Sequence, residues 1–306
     1  MTRIALLVLV LVGLWAPSAA SEGARANSQG LLWRIESPDA PASYVFGTVH
    51  VADPRVEAVV QHMLDTVGRL DSISLEIVPT AAAGAAAAQR MVSLDGPSLS
   101  QRVGAQLFEQ TVASAAPYGL NANILERFKP WAVAVTLSLP VSQLRAQATG
   151  QLNSEKILAS FAENNGIALH AIETLDEQLG LLDGLDEAKQ IEMLRLAVQS
   201  NGIIDEMFAR ILDSYLAHDL NGVYRLMEEM AAGQQVDLQE FYESEMIAGR
   251  NRRMVERIQP RLAEGKALIA VGALHLPDEV GVLRLLEQRG YTVVRMPSLS
   301  SASPAR

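Results

Sequence analysis

Two short phrases near opposite ends of the 306-residue chain constrain its fold more than any other feature: Gly47-Thr48-Val49-His50 and Gly272-Ala273-Leu274-His275. Each follows an apolar run that reads as a buried strand, Tyr44-Val45-Phe46 before the first and Ala267-Leu268-Ile269-Ala270-Val271 before the second. After each histidine comes a helix-opening signal, Asp53-Pro54 in one case and Pro277-Asp278 in the other. A strand that ends in glycine, then a histidine, then a helix start delivers an imidazole to the carboxyl edge of a sheet. In open α/β folds that edge binds ligands. Two of the five histidines placed in this way predict one site assembled from distant segments.

The rest of the pattern extends this architecture. Leu31 to Ile35 and Ser43 to Phe46 read as strands joined through the turn-rich Ser37-Pro38-Asp39-Ala40-Pro41, which predicts a hairpin. From Arg55 to Leu70, Val56, Val59, Val60, Met63, Leu64 and Val67 recur at helical spacing. Residues 72–78 alternate like a strand and stop at Pro79, and the alanine-rich 81–88 reads as either a helix or a mobile linker. Helical patterns continue to about Phe161, Gly166 to Ile172 reads as a strand, and a long helical stretch covers 186–264, with Gly202, Gly222 and Gly233 as its expected interruptions. Strand 267–271, helix 278–289 stopped by Gly290, and strand 291–296 close the chain. The strands are few, dispersed and separated by helices, and neither half of the chain holds a complete set. The expected fold is therefore α/β: a single domain with a mixed central sheet flanked by helices and carrying large helical insertions.

The ends read differently. Arg3, the unbroken apolar run Ile4 to Trp15 and the small residues Pro17 to Ala20 make residues 1–20 a secretory signal peptide, the run being short for a membrane span. Residues 21–30 are expected to form a flexible N-terminal tail, 31–297 the folded domain, and 298–306 a disordered tail. The mature protein is thus expected to be secreted, or periplasmic in a Gram-negative source, with no stable membrane insertion after signal cleavage. Without cysteine there is no disulfide, thiolate ligand, cysteine nucleophile or lipoprotein anchor. The formal charge of −10, or −11 without Arg3, argues against nucleic acid as a partner. Peptide or another small substrate is the expected partner, and oligomeric state is not encoded in any pattern here.

Four further residues join His50 and His275 as candidates. Glu76 ends an apolar strand pattern between Leu75 and Ile77, where a carboxylate is costly without a partner or a metal. Glu173 holds the same position after strand 167–172, though it could equally interact with the helix N-terminus opened by Thr174. On a helix faced by Ile247, Met254 and Ile258, Asn251 points inward and needs a partner, with Arg250 at the border of that face. The arginine could equally cover the core with its alkyl stem. His62, His170 and His218 lack such context and read as structural. Nucleophile-elbow, P-loop, dinucleotide and His-Glu-x-x-His patterns are all missing.

These residues, in this order, are where the chain resembles the TraB/GumN family, to which the Tiki metalloproteases are related. The shared phrases are Leu32-Trp33-Arg34-Ile35, Gly47 to His50, Leu75-Glu76, Ile172-Glu173-Thr174-Leu175-Asp176-Glu177-Gln178, Arg250-Asn251 and Gly272 to His275. One departure is Gln151-Leu152-Asn153, where family members often carry Gly-Leu-Asp, so a charge contributed there elsewhere would be lost here. The resemblance implies a metal-dependent hydrolase, a peptidase by analogy with Tiki. Two histidines and a carboxylate suffice for a catalytic divalent ion with an open position for water. On this reading His50, Glu76 and His275 hold the metal (Mn, Co or Zn, which the sequence does not distinguish), Glu173 is a further ligand or base, and Arg250 with Asn251 stabilises oxyanion charge. Glu76, Glu173, Arg250 and Asn251 are the expected catalytic set. Two alternatives stay open: a non-catalytic peptide- or glycan-binding protein of the same fold, and a metal-independent hydrolase with a histidine general base.

Overall fold

The computed structural model describes residues 25–231 and 236–296. The expected signal peptide, the 298–306 tail and the break at Gly233 lie outside them. Six strands form one mixed sheet: β1 (Leu32–Ser37), β2 (Ala40–Thr48), β3 (Ser72–Leu75), β4 (Ala168–Ala171), β5 (Ala267–Gly272) and β6 (Thr292–Arg295), in the order β4-β3-β5-β2-β1-β6. The expected hairpin is β1 against β2. β6 joins β1 antiparallel, while β2, β5, β3 and β4 run parallel to one another. The mixed α/β fold with helical insertions is thus the one the sequence predicts.

Local chemistry accounts for the elements nearest the site. Helix Pro54–Val67 starts with proline in its first turn, and the Asp53 side chain accepts from the Arg55 amide as N-cap. Its six apolar positions at helical spacing are all buried, and Gly68 ends it at φ +67°. β3 is shorter than the alternating 72–78 pattern, and its serines are buried along with Ile73 and Leu75. β3 is an inner strand of the parallel part of the sheet and is covered on both faces, so none of its four residues meets water. The alanine-rich segment is a helix, Ala81–Met91, capped by the Thr80 hydroxyl accepting from the Ala83 amide.

Almost all remaining helices lie in two insertions, between β3 and β4 and between β4 and β5. In the first, helix Pro130–Leu137 is wholly buried and belongs to the same apolar core as the sheet. In the second, the chain breaks at Gly202 as expected, between helices Glu187–Ser200 and Ile204–Leu216. The next break is not at Gly222, which sits inside helix Leu220–Ala231. It falls one turn earlier, where His218 takes φ +60° and Asp219 Oδ1 accepts from the Gly222 amide. Nor does Pro277-Asp278 open a helix. Asp278 has φ +79°, its amide donates to the Ala26 carbonyl, and the helix begins only at Val282. Residues 25–30, expected as tail, are docked: Arg25 pairs with Glu228 and Asp278, and Ser28 is buried. No helix among the described residues is long and apolar enough to cross a membrane.

Candidate active site

All four parallel strands deliver a candidate residue to the same carboxyl edge. β2 leads to His50, β3 to Glu76, β4 to Glu173 and β5 to His275. Thr48 is paired with Gly272, so the two Gly-x-x-His turns leave the sheet side by side. Close approach favours glycine at both starts. A Cβ on Gly47 would lie 3.1 Å from Ala273 Cα and 2.8 Å from Leu276 Cδ1, and one on Gly272 would press on Glu76 Oε1 at 3.2 Å. Two buried tyrosines from the second insertion pin these turns from above. Tyr215 Oη donates to the Gly47 carbonyl at 2.9 Å, and Tyr224 Oη to the Leu274 carbonyl at 2.5 Å.

Glu76, Glu173 and Arg250 form one buried cluster. Arg250 Nη2 donates to Glu76 Oε2 at 2.5 Å and to Glu173 Oε2 at 2.6 Å, while its Nε reaches both Glu173 oxygens at 3.1 and 3.2 Å. Gln178 Nε2 bridges the same two carboxylates at 3.1 and 2.9 Å. The other Glu76 oxygen, Oε1, accepts from the Gly272 amide at 2.6 Å. Burial alone would raise the Glu76 carboxyl, but the Arg250 guanidinium, the two imidazoles and the Gly272 amide outweigh it and hold it well below the usual carboxylate range. Arg250 is therefore no rim residue covering the core with its stem. It sits in the interior as the counter-charge to two carboxylates.

The histidines are prepared differently. Asn251 Nδ2 donates to the Val280 carbonyl at 2.8 Å, so its Oδ1 is the acceptor that meets His275 Nδ1 at 2.6 Å. This assigns the His275 proton to Nδ1 and a lone pair to Nε2, which lies 3.9 Å from Glu76 Oε1. Burial, reinforced by Arg250, pushes His275 down to about 3, so it is neutral at ordinary pH. His50 goes the other way. Its Nδ1 lies 3.0 Å from Glu155 Oε1, and neither that nitrogen nor either Glu155 oxygen has a hydrogen-bond partner elsewhere among the described residues. Burial lowers His50, but the Glu155 charge outweighs it and raises the imidazole above its ordinary value.

His50, Glu76, Arg250 and His275 line one cavity of about 100 Å³. Glu173 and Asn251 do not. Glu173 lies behind Arg250 as its partner, and Asn251 lies behind His275, so both support groups at the cavity rather than facing it. Among the described residues no group of three or more histidine, aspartate or glutamate side chains is arranged to hold a metal ion, and His50, Glu76 and His275, the expected ligand set, share the cavity without forming such a group. Arg250 is the physical reason. A carboxylate offers about four acceptor positions, and three of those on Glu76 are taken, one of them by a guanidinium standing where a cation would stand. The donor set as it stands does not fit a three-ligand metal centre.

Sequence reasoning did not single out Glu155, Tyr215, Tyr224, Tyr242 or Gln178. Gln178 stood within a family phrase, and Glu155 within the first turn of helix Ser154–Asn165, where a carboxylate has an ordinary role toward the helix dipole. Asn153 caps that helix, its Oδ1 accepting from the Lys156 amide at 3.2 Å, so the lost aspartate charge leaves capping intact. Two residues on, Glu155 brings a carboxylate to His50.

A sequence model of the TraB/PrgY/gumN family matches residues 31–295. The chain is also similar to the metalloprotease TIKI2 of Danio rerio, 24% identical over 325 residues that cover 89% of this chain. It spans 62% of the length of that relative. No solved structure matches.

Proposed function

This chain belongs to the TraB/PrgY/gumN family, and from that premise we propose that it is a hydrolase acting on peptide bonds outside the cytoplasm. One observation carries the reading: a single small cavity is lined at once by an imidazole with raised basicity, a neutral imidazole with its lone pair exposed, a carboxylate and a guanidinium. Its similarity to a protein named as a metalloprotease supports the peptide class of substrate. The exported location rests on the N-terminal signal pattern.

The chemistry follows from which groups can move a proton. His275 and Glu76 are too weakly basic to take one at neutral pH, but both are acceptors. Nε2 and Oε1, 3.9 Å apart, suit a water molecule that donates one proton to either of them and turns its other proton to His50. His50 is the proton carrier. With Glu155 at its Nδ1 to stabilise the imidazolium, it takes the proton of the attacking water and returns it to the departing amine. Arg250 borders the cavity and offers positive charge to the developing oxyanion. Asn251 and Glu173 act through His275 and Arg250.

A second reading, dependence on a divalent metal, is favoured by His275 itself. An imidazole held at Nδ1 by a carbonyl oxygen and kept neutral is how proteins present Nε2 to a metal. In this chain that reading requires Glu76 to let go of Arg250. One experiment separates the readings: the purified protein is incubated with a peptide library, untreated, with chelator, and with added Mn²⁺, Co²⁺ or Zn²⁺, and new termini are read by mass spectrometry. Cleavage that survives chelation and is lost in His50→Ala supports the proton-carrier mechanism. Cleavage only with added metal supports the second reading, and no cleavage under any condition refutes hydrolysis.

A further inference from the structure

The geometry points to the apolar end of the active-site cavity as a specificity subsite for one aliphatic side chain of about four heavy atoms: leucine, isoleucine or methionine. This deepens the peptidase reading and rests on it. Three of the four charged or titratable groups of the cavity, His50, Glu76 and His275, come from the sheet edge, and the fourth, Arg250, is held against Glu76. The cavity's other wall comes from the second helical insertion and the turn before His275: Ile211, Val223, Met227, Met246, Ile247 and Leu274. A peptide whose side chain enters there lays a neighbouring amide bond against His50 and His275.

Size argues for the aliphatic class. A cavity of 150 Å³ lined by apolar side chains takes benzene, so the whole cavity here, about 100 Å³ with its reacting end included, sets an upper limit of about four carbon-sized atoms on the side chain that enters. Phenylalanine and tryptophan are too large, and alanine forgoes most of the contact with the apolar wall. Lysine or aspartate would bury a charge against methionine and isoleucine without a partner. Two methionines in the wall adapt their shape, which suits branched and unbranched side chains alike.

The wall owes its form to an unusual element. Residues Tyr242–Gly249 form a π-helix, in which the hydrogen bond runs from i to i+5. That wider repeat turns Tyr242 and Ile247, five residues apart, toward the same cavity with Met246 beside them. It ends at Arg250, so one element carries both the apolar wall and the guanidinium of the reacting centre.

The test varies one position of a cleaved peptide through Leu, Met, Ile, Ala, Phe, Lys and Asp and measures kcat/KM for each. Leucine and methionine should exceed alanine and phenylalanine by on the order of tenfold or more, and lysine and aspartate by on the order of a hundredfold. Met246→Ala should shift the preference toward phenylalanine, a gain that misfolding cannot produce. Val223→Phe, checked for folding by circular dichroism, should abolish the leucine preference. Saturation-transfer NMR with N-acetyl-leucine amide against N-acetyl-aspartic acid amide reads the subsite without turnover. Cleavage without preference, together with no transfer to the leucine probe, overturns the subsite and leaves hydrolysis standing. No cleavage of any peptide, with the leucine probe bound by the native protein and lost in Val223→Phe, overturns hydrolysis and leaves the subsite. Neither cleavage nor transfer overturns both.

Discussion

Replacing Arg250 with methionine removes the guanidinium that hydrogen-bonds both Glu76 and Glu173 while roughly filling its volume. All three side chains are almost fully buried, the arginine at 7% exposure, Glu76 at 5% and Glu173 at 0%. Their contacts are charge-assisted hydrogen bonds of 2.5–3.2 Å. Removing one partner of such a group leaves the other charges buried and uncompensated, a loss of about 3–5 kcal/mol. Two carboxylates bridged only by Gln178 would then disfavour each other's ionisation, so one takes up a proton. The sign with pH follows. In the native protein Glu76 sits below its unfolded value, so its contribution is present above that value and is lost as pH falls through the folded one. In the variant the carboxyl is raised instead, and acidification relieves the penalty. Urea unfolding followed by circular dichroism should therefore show a deficit of about 3–5 kcal/mol at pH 7.5 that narrows at pH 5. Adding Glu173→Gln should recover a substantial part of it, because a like-charged pair becomes a single carboxylate. A deficit below about 1 kcal/mol at pH 7.5, or one equal at both pH values, would refute the assignment of Arg250 as their counter-charge.

Other perturbations reach other parts of the site. His275 is neutral when folded, near 3 against an ordinary 6.5, so the unfolded chain alone takes up a proton as pH falls below about 6.5. Stability should decline from there toward pH 3, and His275→Gln should show a shallower slope in urea midpoints; an unchanged slope would exclude this imidazole as its source. Asn251→Ala should lower kcat by about 10- to 100-fold with little change in KM, while Asn251→Asp, which keeps an acceptor at His275 Nδ1, recovers part of it. Equal kcat in all three proteins would remove Asn251 from a positioning role. Tyr215→Phe and Tyr224→Phe each leave a carbonyl of a Gly-x-x-His turn without its hydroxyl and should each lose about 1–3 kcal/mol in chemical denaturation. If the signal pattern is read by the export machinery, N-terminal sequencing of the mature protein should begin close to residue 21.

Much of the site was legible because its groups end strands. A strand pattern followed by glycine and histidine, or by a lone carboxylate, states which edge of a parallel sheet will carry the residue, and His50, Glu76, Glu173 and His275 all lie there. Inward orientation of Asn251 was legible from helical periodicity. Its role was not, because periodicity says that a side chain turns inward and not whether it meets the cavity or the back of another residue. The sequence places Arg250 at the border of the apolar helix face, with a rim role and a site role equally open, for a related reason. The α-helical pattern of the following residues was extended backward, whereas a π-helix precedes it and changes the rotation. Pro277-Asp278 resembled a helix start, but Asp278 is drawn into a left-handed turn that binds the 25–30 segment.

What the sequence by itself determined is local: the strands, the capped helices, the glycines that let two turns approach closely, and the set of polar groups at the sheet edge. These follow from propensities and spacings that act within a few residues. Only the tertiary structure decided what those groups are to one another. Which nitrogen of His275 carries the proton, that Glu155 faces His50, and that Arg250 occupies the place beside Glu76 where a metal was expected are all outcomes of contacts between residues 24 to 174 positions apart. Charge and protonation inside a protein are set by neighbours within a few ångströms, and chain separation carries almost no information about which neighbours those will be.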